Sequence, residues 1–307
     1  MNLTLKQMRT IQAIAEHGGI TAAAGRLFVT PPAVTQQLRE SEDTLGLPLF
    51  SRGKGGMQPT EICLELLDSA RQIDALLDNF RQRLDAYKGV EGGRLSIGGV
   101  STIKYFCPRL IAGFSAKYPR INIAMRIGNR REVIDSLEGY HTDLCLMGRP
   151  PKGFPVRSTC IAEHPHVIIA PPDHPLSGKK SVLREQLEGE SFLHREPESG
   201  TRAVAEEFLT GLNTGRSIFH DSVLTNESIK QAVMAGLGIA LISVHTILNE
   251  LERGDLALLR VRGTPIVRNW YLVSRGNCRL SPAAQAFSNY MCEEGARQLH
   301  IAQGLLR

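Results

Sequence analysis

Thr21-Ala22-Ala23-Ala24-Gly25-Arg26-Leu27-Phe28-Val29-Thr30-Pro31-Pro32-Ala33-Val34-Thr35-Gln36-Gln37-Leu38 is the stretch on which the fold turns. Thr21 predicts the N-cap of a short helix over 22–27, and Phe28-Val29 a tight turn. Thr30 predicts the cap of a second helix, with Pro31 at its first position, where a missing N–H costs nothing. Ala33, Val34 and Leu38 share one side of that helix, and Gly46 suits a left-handed C-terminal residue. The other side carries Thr35, Gln36 and Arg39, side chains that reach base edges and phosphates. Two helices joined by a tight turn, the second polar on one face, make a helix-turn-helix. The bland alternative is a small helical packing unit.

Upstream, Leu5, Met8, Ile11, Ile14 and Ala15 recur at helical spacing until Gly18-Gly19. Downstream, Pro48-Leu49-Phe50-Ser51-Arg52 and Met57-Gln58-Pro59 bracket Gly53-Lys54-Gly55-Gly56, a hairpin with a basic, glycine-rich tip, in effect a wing. The candidate DNA contacts are therefore Thr30, Pro32, Thr35, Gln36 and Arg39, with Arg52 and Lys54 holding phosphates. The net charge of +5 permits nucleic-acid binding and does not demand it.

Thr60 predicts the cap of a helix that runs to Tyr87 without Gly or Pro. Cys63, Leu66, Ala70, Ile73, Leu77, Phe80, Leu84 and Tyr87 follow one another in steps of three and four, with charges such as Asp68, Arg71, Asp78 and Arg81 elsewhere. That pattern marks a two-helix seam, with Leu66, Ala70, Ile73, Leu77, Phe80 and Leu84 as dimer contacts. The alternative is a surface helix packed on its own domain. A dimer would present paired reading heads to a pseudo-palindromic operator.

Glu91-Gly92-Gly93 reads as a hinge, and beyond it the pattern changes class. Short apolar runs at 95–97, 121–123, 144–146, 167–169, 239–242 and 270–273 alternate with helical stretches at 102–118, 133–137, 202–212 and 227–235. Strand, helix, strand predicts an α/β region with mostly parallel sheets, in two lobes that cross near Cys160-Ile161 and Pro265-Ile266. The expected domains are a winged helix-turn-helix over 1–60, a linker helix over 61–88 and an effector domain over 89–307. Within the last, lobe I takes about 91–160 and 267–307, and lobe II about 161–266.

In an open α/β sheet, ligands sit at the carboxyl ends of strands, where helix N–H groups point out. Ser101 and Thr102 begin a predicted helix after the strand over 95–100. Ser199-Gly200-Thr201-Arg202 begins another after an expected strand over 191–194. Two hydroxyl-rich helix starts facing across a cleft would clasp an anion, with Arg202 adding a full charge. Ser199 alone reads as a plain cap. Asn129 and Arg149 stand at comparable strand ends, which completes the effector set Ser101, Thr102, Asn129, Arg149, Thr201 and Arg202. His166 reads as a satisfied core histidine.

Other functions lack their signatures. There is no nucleophile elbow, no Walker loop and no metal-ligand spacing, so neither catalytic residues nor a metal site are expected. Gly236-Leu237-Gly238 follows a helix and precedes a strand, the wrong order for a dinucleotide turn. The six cysteines lie far apart and read as buried, reduced thiols. No apolar run reaches the roughly 18 residues of a membrane span, and no signal peptide opens the chain, so a cytoplasmic protein is expected. An enzyme and an exported solute-binding protein are the rival classes.

The three regions together resemble a LysR-type transcriptional regulator, over essentially the whole chain. The resemblance rests on the stretch quoted first, on Leu45-Gly46-Leu47-Pro48-Leu49-Phe50-Ser51-Arg52 and on Pro59-Thr60. Three further segments are similar to the subgroup that regulates carbon-fixation (Calvin-cycle) operons. They are Asp143-Leu144-Cys145-Leu146-Met147-Gly148-Arg149-Pro150-Pro151, the Arg195-Glu196-Pro197-Glu198-Ser199-Gly200-Thr201-Arg202 run, and 226–240. Pro32 stands where the family usually has Gln, Gln36 where it has a basic residue, and Ser41 where an apolar residue packs the helix. Ser41 predicts a looser reading head. The resemblance implies two lobes like those of periplasmic solute-binding proteins, with an inducer in the cleft. It further implies double-stranded operator DNA as partner, a homodimer or homotetramer, and contact with RNA polymerase. The inducer it implies is a phosphorylated metabolite or NADPH.

Overall fold

The computed structural model of the chain describes residues 2–53, 56–88, 92–215 and 225–300. It divides into two units, Met1–Arg81 and Gln82–Arg307. The boundary falls inside the linker helix and not at either of its ends.

In the first unit, helix α1 (Leu5–His17) opens on a reciprocal cap. The Thr4 hydroxyl accepts from the Gln7 amide at 3.2 Å, and the Gln7 side chain accepts from the Thr4 N–H at 2.9 Å. α2 spans Ile20–Leu27 and α3 spans Pro31–Leu45. Thr21 does not cap α2: the helix begins at Ile20, directly after Gly19 in extended backbone, which places Thr21 inside its first turn. Thr30 does hold the N-cap position of α3, but its hydroxyl makes no capping bond, and Pro31 supplies the helical start instead. Ser41 is fully buried with its hydroxyl bonded to the Gln37 carbonyl at 2.7 Å, so it packs without an orphaned donor. The expected loosening at that position has no structural basis.

Strands β1 (Phe50–Gly53) and β2 (Gly56–Pro59) pair antiparallel as the wing. Gly56 has φ +107°, and a Cβ there would stand 2.6 Å from the Gly18 carbonyl, so only glycine fits this approach. Ile11, Ile14, Ala23, Val34, Leu38 and Leu49 form the core of the head, together with Cys63 and Leu67 from α4 (Glu61–Tyr87).

That last contribution corrects the expected seam. Ala70 is buried and Leu66 packs against the head core, so the first turns of α4 serve their own domain. Arg9 and Gln12 of α1 also bond Asp74, at 3.4 and 3.2 Å. Ile73 and Leu77 are half-buried. Farther along, Leu76, Phe80 and Leu84 are exposed (54, 63 and 40 %) at i, i+4 and i+8, a stripe on one face of the helix. Leu76 belongs to that stripe although the heptad reading omits it.

The second unit runs β3 (Gly93–Val100), α5 (Cys107–Lys117), β4 (Ile121–Gly128), α6 (Arg130–Glu138), β5 (Leu144–Met147), β6 (Val156–Ala170), α7 (Gly200–Leu209), α8 (Asn226–Met234), β7 (Ala240–Ser243), α9 (Leu248–Arg253), β8 (Ala257–Leu259), β9 (Ile266–Arg275) and α10 (Pro282–Leu299). The strand order is β4-β3-β5-β9-β6-β7, with β8 on β6. The expected mostly parallel sheet is not found. Among the described strands, the β3–β4 and β3–β5 pairs are parallel and the others antiparallel, with β6 and β9 running antiparallel from one lobe into the other. Their register extends from Val156↔Arg275 to His166↔Ile266, with an irregularity between Cys160 and Ala162.

Lobe I packs Leu95, Ile97, Phe114, Trp270 and Phe287 around Ile161, so β6 crosses beyond residue 161 rather than at it. Lobe II has a core on each side of its strands, around Phe192 and Leu241 and around Val233 and Ile242. The helix expected over 102–118 is two elements. A 3-10 turn, Ser101–Tyr105, ends before Phe106, and α5 restarts at Cys107, because Pro108 is tolerated only in a first turn. The strand expected over 191–194 reduces to single bridges, Ser191↔Gly215 and Phe192↔Ile239. Among the described residues, no helix is long and apolar enough to cross a membrane.

Candidate functional site

The two lobes of the second unit enclose a cleft of about 640 Å³, within the range of small-molecule sites. Its walls come from the carboxyl ends of β3, β4 and β5, the start of α7, and the strand crossing. Ser101, Thr102, Asn129, Arg149 and Thr201 all line it. Arg202 does not: its guanidinium bonds Glu206 at 2.7 Å and the Arg195 carbonyl at 3.1 Å. A carboxylate one helical turn away captures it, which removes it from the expected set.

The hydroxyls after β3 are engaged across the cleft. Ser101 Oγ accepts from Arg195 at 3.0 Å, and Thr102 Oγ1 accepts from Asn226 Nδ2 at 3.2 Å. Arg195 is buried, donates also to Asn226 Oδ1, and pairs with Glu196 at 2.6 Å. Lobe II thus grips the mouth of lobe I through one arginine and one asparagine. Thr201 is buried at the first turn of α7, and Ser199 holds the N-cap position without a capping bond, contrary to its expected role. Asn129 is chiefly a cap: its Oδ1 accepts from the Glu132 N–H, and its own N–H donates to Glu132, both at 2.9 Å.

Arg130 joins Arg149 on the wall of lobe I. It donates to the Arg149 carbonyl at 2.6 Å, and its pKa is lowered first by burial and then by the charge of Arg149. Neither guanidinium has a carboxylate within ion-pair distance among the described residues. Two arginines without a carboxylate partner among the described residues, on a concave wall, have the charge and donors to receive an anion.

The floor holds His164 and His166. His164 Nε2 meets Ser243 Oγ at 2.9 Å, and its ring stacks on Trp270 at 4.0 Å and 18°. His166 Nδ1 donates to the His164 carbonyl at 3.1 Å. His164 Nδ1 and His166 Nε2 have no partner, so His166 is buried but not satisfied. Burial pushes the His166 pKa down to about 4 and that of His164 well below its ordinary value, helped by neighbouring histidines.

On the head, Pro32, Gln36 and Arg39 are exposed. Thr35 is half-buried, its hydroxyl bonded to the Pro31 carbonyl at 3.0 Å, and Gln36 Nε2 donates to Glu40 at 3.0 Å. Arg52 lies on β1, while Lys54 falls outside the described residues.

Sequence reading missed Arg130, Arg195 and Asn226. The last two open the second and third segments of the subgroup resemblance, which was the available signal. Arg130 had none beyond its place next to Asn129.

Comparison with known proteins bears on all of this. Residues 5–63 match the bacterial regulatory helix-turn-helix protein family of lysR type, and residues 88–296 match the LysR substrate binding domain. The HTH-type transcriptional regulator CbbR of Rhizobium meliloti is 45% identical over 98% of this chain and 96% of its own. The RuBisCO operon transcriptional regulator of Allochromatium vinosum is 41% identical over 99% of this chain and 100% of its own. A solved structure, the Synechocystis PCC6803 CcmR regulatory domain in complex with 2-PG, superposes with a TM-score of 0.62 at 32% identity, covering 66% of this chain and 96% of that one. With a winged reading head followed by a two-lobed effector domain, both matched along nearly their whole length, the chain belongs to the LysR family of DNA-binding transcription regulators, a family of regulators and not of enzymes.

Proposed function

We propose that the chain is a cytoplasmic, homodimeric or homotetrameric regulator of a carbon-fixation operon, and that a phosphorylated carbon metabolite in the cleft sets its affinity for operator DNA. The observation that carries the ligand class is the Arg130–Arg149 pair, two cations with no carboxylate partner among the described residues, in a concave site. Thr201 and the first N–H groups of α7 stand in the same cleft, where no side chain caps them. Among relatives, the Synechocystis protein is bound to 2-phosphoglycolate, a compact anion, and the Allochromatium protein regulates a RuBisCO operon. NADPH is the second reading, and it is disfavoured because Tyr271 is the one phenyl or indole ring among the described lining residues, leaving little surface there on which to stack two bases.

The seam for self-association is the Leu76, Phe80 and Leu84 stripe, and RNA polymerase is the further partner. A ligand accepted by Ser101 or Thr102 competes with Arg195 and Asn226 for the same hydroxyls. Effector binding therefore exchanges contacts within the chain for contacts to ligand, which is what lets it shift an equilibrium.

Calorimetric titration of 2-phosphoglycolate and NADPH into wild type and Arg149→Ala tests the reading. The phosphate ester is expected to bind, and Arg149→Ala to weaken it roughly tenfold or more, the worth of a charge-assisted hydrogen bond. Preference for NADPH, or equal binding by the two proteins, would overturn it.

A further inference from the structure

The 3-10 turn Ser101–Tyr105 of lobe I meets lobe II through three side chains. Ser101 and Thr102 line the cleft and accept from Arg195 and Asn226. The third is Tyr105, whose hydroxyl donates to Glu227 Oε2 at 3.1 Å. Glu227 follows Asn226 in the first turn of α8. Tyr105, Glu227 and Lys230 are not among the described residues that line the cleft, so a ligand held there does not compete for this bond.

Lys230 ties the contact into lobe II. It is 3 % exposed, and its ammonium pairs with Glu227 at 3.0 Å and with Glu250 of α9 at 2.6 Å. The same ammonium stands 4.9 Å from the centre of the Tyr105 ring, within cation–π reach. Tyr105 therefore engages α8 twice, with its hydroxyl on the carboxylate and its ring on the cation. Burial, and after it the charge of Glu227, raises the Tyr105 pKa, so the phenol keeps its proton and stays a donor.

Resting on the reading of the cleft as an anion site, we propose that Tyr105 and Glu227 form a latch outside the cleft that holds the effector-free arrangement of the lobes, so that the strength of this bond sets how tightly the effector binds. Thr102 and Tyr105 are three residues apart on one tight turn, and Asn226 and Glu227 are adjacent on one helix. Asn226 is 1 % exposed and close-packed, so it leaves Thr102 by moving the start of α8 and not by swinging alone. Such a shift strains the Tyr105–Glu227 bond, because a hydrogen bond weakens steeply as its angle closes. A ligand that takes the Thr102 hydroxyl thus works against a bond it never touches. A bond made only in the effector-free arrangement lowers effector affinity by the factor with which it favours that arrangement.

Calorimetric titration of 2-phosphoglycolate into the full chain compares wild type with Tyr105→Phe, which keeps the ring over Lys230 and removes the hydroxyl. Loss of the latch is expected to tighten binding roughly three- to tenfold, the worth of one partly exposed hydrogen bond. General loosening of the fold would weaken binding instead, so the sign separates a latch from a merely structural tyrosine. An operator duplex recovered by selection from random sequence gives the second readout. Its affinity for ligand-free Tyr105→Phe should move toward the value that wild type shows with saturating 2-phosphoglycolate. Equal or weaker binding of 2-phosphoglycolate by the variant, with wild type binding, overturns the latch and leaves the anion reading intact. If 2-phosphoglycolate binds neither protein, the anion reading falls and the operator decides alone: an affinity unchanged by Tyr105→Phe then overturns the latch as well.

Discussion

Arg195 and Asn226 tie lobe II to lobe I at the mouth of the cleft, and the arginine does so with a fork that serves three partners. Its guanidinium bonds Glu196, Asn226 and Ser101 at once while buried. Arg195→Ala would leave the Asn226 carbonyl oxygen without its donor and a carboxylate without its cation, in surroundings where that costs about 3 kcal/mol or more. A lower urea midpoint for unfolding of the second unit is the expected reading, and Arg195→Lys should recover little of it, since an ammonium cannot serve three partners in a plane. The histidines add a pH dependence. His166 and His245 have folded pKa values pushed down to about 4 by burial, against about 6.5 unfolded. The unfolded chain therefore binds more protons between those values, and stability is full above about pH 6.5 and lost as pH falls toward 4. Each contributes on the order of 3 kcal/mol at most, so melts at pH 7 and pH 5 should differ, and His166→Phe should narrow the difference. Legibility at this scale stopped where partners are remote. Thr102 and Thr201 could be found from strand ends and helix starts. Arg195 and Asn226 act on residues 94 and 124 positions away, a distance no local pattern encodes.

Two helices carry the consequences at the next scale. α4 was recognisable as one long helix, and its repeat in threes and fours was real, but spacing alone cannot tell burial against the chain's own head from burial against a second copy. Leu66 and Ala70 took the first course. Phe80 sits in the exposed stripe, so Phe80→Asp is expected to dissociate the dimer and abolish operator binding while the lobes stay folded. Unchanged mass by light scattering, with DNA binding intact, would remove the stripe from the interface. On α3, Arg39 is exposed on the face that was legible from residue types alone. Arg39→Ala should cost about 1–3 kcal/mol on operator and much less on random duplex if it reads a base. Equal losses on both DNAs would make it a phosphate contact. Pro108 shows the opposite case, a local signal that is visible in the sequence: it divides 102–118 into a 3-10 turn and α5, and Ser101 and Thr102 sit in that turn, where Arg195 and Asn226 bond them.

For the whole molecule, the reading of two α/β lobes survives, while the expected parallel sheet fails at the paired strands β6 and β9. Apolar runs such as 167–169 reveal a buried strand and carry no information on the direction of its neighbour. Effector and operator are linked by thermodynamics whatever the path between them. If effector changes operator affinity by some factor, operator must change effector affinity by the same factor. Titrating 2-phosphoglycolate with and without operator duplex, and the duplex with and without the metabolite, should return matching ratios. Equal affinities in both settings would mean that the bound metabolite exerts no control.

Trp270 is the chain's single tryptophan, fully buried where β9 crosses between lobes, stacked on His164 and edge-on to Phe106. All indole emission from this protein therefore originates at the crossing. An imidazole in van der Waals contact quenches an excited indole more strongly when protonated, and a shift of the ring by a fraction of an ångström alters the emission. The molecule thus carries a built-in optical probe beside its effector cleft, one that needs no label and has no second fluorophore of its kind to confuse it.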